Sequence, residues 1–313
     1  MGAAWKDYFL RSGLPLENDV KRYLDSKGCI SDFRYSYLRR DESELEKEFS
    51  YDIDASYIKD KSFIELMIEC KYRHESTRWI FLSAGPAEIN SNDFLHPIDH
   101  FIELEFPFKG IFPEELAPLC SKGIELTSSG DNEKSINQAM FQLSYAFAQK
   151  VASAIEHQVH RLLVDDHIFF HVPVIVTTAR LYRLKENVDI DDIKKSEDVE
   201  SVSEECECLL LKNTIGKHLE KYNAGIFDKL RRDLGDTILN EKLNTFTNNI
   251  DHLFNVLAAH CCPKVFVVTR YSRHNLGLES LFKYIDRVIN PPADLLEKIN
   301  QQDQSLNQKL GEL

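Results

Sequence analysis

The chain has 313 residues, 43 % hydrophobic and 11 % aromatic, which excludes an intrinsically disordered protein and is enough for one elaborated domain or two small ones. A net charge of −13 argues against a protein that holds nucleic acid by charge alone. The longest apolar run, "IFFHVPVIVTTA" at 168–179, is too short to span a bilayer.

The opening stretch, "MGAAWKDYFLRSG", lacks the apolar h-region of a signal peptide, and Lys6 breaks the myristoylation pattern. "GLPLENDVKRYLDSKG" (13–28) predicts a helix, with Pro15 near its start, Val20 and Leu24 four apart, and Gly28 closing it. "DFRYSYLRR" (32–40) alternates as a strand, and an acidic turn at 41–48 leads to a second strand, "FSYDIDASYI" (49–58). A "KDKS" turn then gives a third, "FIELMIECKYR" (63–73), and "RWIFLSAG" (78–85) reads as a further strand.

Residues 86–130 are expected to form a long irregular insertion, rich in Pro, Gly, Asn and Ser. "NEKSINQAMFQLSYAFAQKVASAIEHQVHRLL" (132–163) is the strongest helical pattern in the chain. "IFFHVPVIVTTARLYRL" (168–184) follows and contains a β-rich run suited to a central strand. Between 186 and 207 lie ten acidic residues and two lysines, −8 of the chain's −13, a composition expected of a mobile loop or surface hairpin. Helical segments at 211–260, a buried strand "CPKVFVVTR" (262–270), a helix at 276–290 and a polar tail complete the chain.

The seven cysteines are irregularly spaced and include no CxxC pair, so reduced buried thiols in a cytoplasmic protein are expected, not a zinc ribbon. His157, His160, His167 and His171 crowd the end of the long helix and the next strand, where solvated or core histidines outweigh a zinc site. No GxxxxGK[ST] occurs, so ATP hydrolysis by that route is excluded. Basic residues gather in "RYSYLRR" (34–40), "KYRHESTR" (71–78), "ARLYRLK" (179–185) and "TRYSRH" (269–274), mostly at predicted strand ends.

The third strand carries the chemistry. Alternation sends Ile64, Leu66, Ile68 and Cys70 to one face, and Glu65, Met67, Glu69 and Lys71 to the other. Glu69-Cys70-Lys71 is the only Glu-x-Lys in the chain, and it ends an apolar strand fifteen residues after Asp54. If the second and third strands form a hairpin, Asp52, Asp54 and Glu69 converge with Lys71. Three carboxylates together repel one another unless a cation holds them, and oxygen ligands suit magnesium.

On "DIDAS" followed by "IELMIECK", the chain resembles the PD-(D/E)xK nuclease superfamily, in particular its Mrr-type and related bacterial members. The resemblance covers roughly residues 13–180 in element order, although the signature proline before the aspartate is absent. It implies an α/β fold with a restriction-endonuclease-like αβββαβ core, a mixed central sheet flanked by helices, and C-terminal helical and strand elaborations. The nuclease core would span 1–185 with its insertion at 86–130, followed by an acidic loop at 186–208 and an α/β extension packed on the core at 209–313. It also implies Asp54, Glu69 and Lys71 as catalytic residues, with Asp52 the rival of Asp54 and Glu17 of the first helix a further metal ligand. Gln138 and Gln142 on the long helix occupy a place where some superfamily members put a site residue, though an amphipathic helix explains them as well.

The expected activity is Mg²⁺-dependent phosphodiester hydrolysis, with Mn²⁺ as a substitute, by a DNA endonuclease of a bacterial restriction or defence system. RNA is left open as a substrate. The alternative is a catalytically inactive nuclease-fold subunit that binds nucleic acid or protein. A homo-oligomer, or a complex with a separate ATPase or sensor protein, is expected, and no membrane partner.

Overall fold

A computed structural model describes residues 4–40, 46–85, 111, 113–128, 130–132, 134–160, 168–243, 249–295 and 297. Two helices come first, α1 (Ala4–Arg11) and α2 (Leu14–Ser26), then three antiparallel strands, β1 (Ile30–Arg40), β2 (Glu46–Lys59) and β3 (Ser62–Lys71). Strands β4 (Arg78–Ser83), β5 (Leu119–Thr127) and β6 (Gly130–Asn132) precede the long helix α3 (Lys134–His160). Next come β7 (Ile168–Thr177), β8 (Arg180–Leu184), the short helices α4 (Ile190–Lys195) and α5 (Val199–Val202), β9 (Ser203–Cys206) and β10 (Cys208–Lys212). Helices α6 (Lys217–Leu234), α7 (Asp236–Leu243) and α8 (Ile250–His260), strand β11 (Val265–Arg270) and helix α9 (Leu276–Ile289) follow.

The eleven strands among the described residues join one mixed sheet in the order β1-β2-β3-β7-β11-β10-β5-β4-β8-β9, with β6 paired to β5. Strand β7 runs parallel to both β3 and β11, and its nearly continuous apolar sequence is what a strand covered on both faces requires. Leu16, Val20 and Leu24 of α2 fall four apart and pack with α9 on one face of the sheet. The other face is covered by α3, α6 and α8. Helix α3 buries Ala139, Ala146, Ala148 and Ala154, whose small side chains let its axis lie close to the strands.

Several sequence expectations need revision. Of the insertion expected at 86–130, residues 86–110 lie outside the described residues, but Leu119–Thr127 is the interior strand β5 between β10 and β4. Its pattern is masked by Glu125, whose buried carboxylate accepts from Arg73 Nε at 2.5 Å, Trp79 Nε1 at 2.8 Å and Ser135 Oγ at 3.2 Å. Gly123 in this strand is dictated by packing, since a Cβ there would lie 2.3 Å from the Phe81 ring. The stretch 168–184, expected to contain a central strand, holds two, separated by Thr178-Ala179. One piece is central and the other is next to the sheet's edge.

The acidic stretch, expected as a mobile loop or a surface hairpin, is not an irregular loop but forms α4, α5 and the edge strand β9, which pairs antiparallel with β8. Helix α4 begins with a capping box, the Asp189 side chain accepting from the Asp192 N–H and the reverse. The residues from 209 onward, expected as an extension packed on the core, supply β11 and most of β10 to the middle of the sheet. All seven cysteines are free thiols, all but Cys206 buried. No helix among the described residues is long and apolar enough to cross a membrane.

Candidate functional site

Glu69 and Lys71 end β3 on the face that also carries Glu65 and Met67. Glu69 is 1 % exposed, and its Oε1 accepts from the Lys71 ammonium. The other oxygen, Oε2, is buried with no hydrogen-bond partner among the described residues. A carboxylate so placed is costly unless something else meets it. Lys71 Nζ also reaches Gln142 Oε1 on α3 at 3.4 Å, and Gln142 Nε2 in turn donates to the Ser50 carbonyl at 2.9 Å. Gln142 thus stands beside the lysine, whereas Gln138 is exposed.

Asp52 completes the group. The β2–β3 ladder ends at Ile53↔Ile68, and beyond it Asp52 Oδ2 accepts from the Cys70 N–H at 2.7 Å. Strand β2 twists here: Tyr51 packs in the core under α3, whereas Ile53 packs in the core under α2. Opposite, in β1, Arg34 has left-handed backbone at φ 66° and drops out of the pairing with β2. A non-glycine residue in that conformation marks a real local distortion. It separates Asp52 from the regular alternation of β2.

Electrostatics tie Glu17 to the same place. Its carboxyl is raised above the ordinary value by partial burial and by the Asp52 charge, with Lys71 and Arg34 opposing. Burial also raises Asp52, against the Cys70 hydrogen bond and the charges of Lys71 and Arg34. Glu69 is pushed up to about 8, by burial first and the Asp52 charge second, with Lys71 pulling the other way. Three carboxylates that each resist ionisation beside one another form a site short of positive charge.

Asp54 lies elsewhere. It pairs in register with Met67, and both of its oxygens are taken, Oδ1 by the Tyr51 hydroxyl at 2.7 Å and Oδ2 by Lys150 Nζ at 2.7 Å. Lys150, buried on α3, also donates to Glu65 Oε1 at 3.1 Å, and Glu65 Oε2 lies 2.9 Å from His171 Nε2. The expectation that Asp54 shares a centre with Glu69 is therefore replaced by two adjacent clusters. Asp52, Glu69, Lys71, Glu17 and Gln142 form one; Asp54, Glu65, Lys150 and His171 form the other. Lys150 escaped the sequence reading, although a lone lysine in the apolar run "SYAFAQKVASAI", eight residues after Gln142, was a usable signal.

Histidine contributes little. His171 is a core residue against the Phe147 ring, His157 lies beside Phe169, and His167 is outside the described residues. Among the described residues no group of three or more His, Cys, Asp or Glu is arranged to hold a metal ion. The donor chemistry nevertheless fits magnesium, which takes one or two carboxylates and keeps its waters. Asp52 and the unpartnered Glu69 Oε2 are such a pair; thiolate and imidazole donors for zinc are missing from the cluster.

The basic clusters are largely spent. Arg180 makes a two-pronged pair with Glu205 at 2.9 and 2.6 Å, Arg270 reaches Glu205 at 2.8 Å, and Arg183 reaches Glu204 at 2.9 Å. The acidic segment thus neutralises two of the four clusters. No family model matches the chain, and no curated protein or solved structure matches it.

Proposed function

We propose that this protein is a magnesium-dependent nuclease of the PD-(D/E)xK kind, with Asp52 in place of Asp54 as the motif aspartate. The carrying observation is the half-satisfied Glu69 carboxylate, its Oε2 unpartnered among the described residues, beside Lys71 at the end of β3 and Asp52 just past the last β2–β3 pair. The order α2, β1, β2, β3, α3, β7 supports a restriction-endonuclease-like core, with β4–β6 inserted before α3.

Asp52 and Glu69, with Glu17 as a third carboxylate, would hold Mg²⁺ or Mn²⁺. When bound there, such an ion would lower the pKa of a water and so make it a nucleophile able to attack phosphorus. Lys71 is the donor left to orient that water or to meet charge growing on the phosphoryl oxygens. Gln142 holds the ammonium in place, and the Cys70 N–H fixes the Asp52 carboxylate. DNA is the proposed substrate and bacterial restriction or defence the proposed setting. One centre cuts one strand at a time, so a second copy, or a complex with an ATPase or sensor subunit, would complete a double-strand break.

Incubating supercoiled plasmid and single-stranded DNA with the protein and Mg²⁺, with EDTA as the control, tests the proposal. Cleavage that needs the metal and is lost in Glu69→Ala is expected. Plasmid and single strand both untouched under Mg²⁺ and Mn²⁺ would leave the silent binding module as the better account.

A further inference from the structure

We propose that the nucleic acid this centre takes is an unpaired DNA strand, held by bases stacked on Phe33 and Phe9; this rests on the nuclease reading above. A cleft of about 780 Å³ opens between the start of α2 and the β1–β2 pair, and Phe9, Leu14, Glu17, Phe33, Arg34 and Asp52 are among its walls. That volume lies in the range of small-molecule sites. It accommodates a nucleotide or two.

The walls match such a guest. Phe9 is 50 % exposed and Phe33 49 %. The ring of Trp5, itself well exposed, continues the surface 6.5 Å from that of Phe9. Exposed aromatic rings grouped at a cleft indicate binding, and stacking on them accepts any base. Asp52 and Glu17 line the same cleft, so a stacked nucleotide would bring its phosphate to the carboxylates. Arg34, exposed beside Phe33, is a cation for the neighbouring phosphate. An apolar partner protein would have to bury these acids, whereas a phosphate carried on a cation uses them.

A duplex is gripped mainly by many basic residues along its backbones. Here Arg73, Arg180, Arg183 and Arg270 are already paired with Glu125, Glu205, Glu204 and again Glu205. The chain's net charge is −13. Stacking depends on none of these arginines.

The test uses the full chain in Ca²⁺, by fluorescence anisotropy, with a dye-labelled oligothymidylate and a duplex of equal length. Tighter binding of the single strand is expected, with a loss of roughly tenfold in Phe33→Ala and recovery in Phe33→Tyr. A strand carrying 2-aminopurine should be quenched by the wild type and not by Phe33→Ala. Tighter duplex binding, or unchanged affinity in both Phe33→Ala and Phe9→Ala, would overturn the proposal. Cleavage in Mg²⁺ separates the two claims. Single-stranded DNA cut equally well by Phe33→Ala would sink the stacking site alone, and stacking without any metal-dependent cleavage would sink the nuclease reading alone.

Discussion

The Cys70 N–H donates to Asp52 Oδ2 at 2.7 Å, and this bond ties the middle of β2, just past its last pair with β3, to the residue between Glu69 and Lys71. A carboxylate anchored by a backbone donor is oriented without a flexible partner, so Asp52 is held ready beside Glu69. Asp54, two residues along, is held by a lysine and a tyrosine instead. The two aspartates therefore differ in what their loss does.

Asp54→Ala should act mainly on stability. It removes one of the two carboxylates that meet the buried Lys150 ammonium and leaves the Tyr51 hydroxyl without its acceptor, a cost of about 2 kcal/mol. Urea denaturation measures it. A change below about 0.5 kcal/mol, the range of an ordinary surface substitution, would mean that the Lys150 pair does not matter.

Lys71→Ala should abolish cleavage and leave the folded state intact, because the side chain supplies charge at a strand end and fills no core. Gln142→Ala should lower kcat with little change in KM, since Gln142 acts on substrate only through the lysine. Full activity in Lys71→Ala would contradict the role given to it.

Acid should unfold the protein partly through Glu65. Burial alone would raise this carboxyl, but His171, whose Nε2 lies 2.9 Å from it, and the Lys150 ammonium outweigh it and hold it down at about 2. A folded-state value below the ordinary 4.5 gives stability that is present above about pH 4.5 and is lost as pH falls toward about 2. The urea midpoint should drop more steeply across that window in the wild type than in Glu65→Gln. Parallel curves would show that the carboxylate is not ion-paired.

Neutralising the acidic segment should release basic residues. With Glu204 and Glu205 both changed to Gln, Arg180, Arg183 and Arg270 lose carboxylate partners. Nucleic-acid affinity should rise, and its log–log salt slope should steepen by about 1 to 2 as new phosphate contacts form. An unchanged slope in a salt titration would show that these arginines face no nucleic acid.

Much of this arrangement is legible in the sequence where the cause is local. Alternation in "FIELMIECK" places Glu69 and Lys71 together, and the spacing of Leu16, Val20 and Leu24 gives α2 and its buried face. The choice between Asp52 and Asp54 is not local. It depends on the backbone of Arg34 in the neighbouring strand, and strict alternation of β2 cannot express it. Strand β5 hides because Lys122 and Glu125 look like loop residues until Arg73, 52 residues away, is seen on the carboxylate. The acidic segment misleads for the same reason, since its charges are answered partly by Arg270, 65 residues away.

The assignment of Asp52, not Asp54, to a metal-dependent nuclease centre with Glu69 and Lys71 is tested by Mg²⁺-dependent cleavage of plasmid and of single-stranded DNA by Asp52→Asn and Asp54→Asn, purified alongside the wild type and confirmed folded. Asp52→Asn should lose cleavage by at least about 10²-fold, the scale of a group that acts on the transition state, while Asp54→Asn keeps most of it. Cleavage retained by Asp52→Asn, or abolished equally in a folded Asp54→Asn, would contradict the assignment.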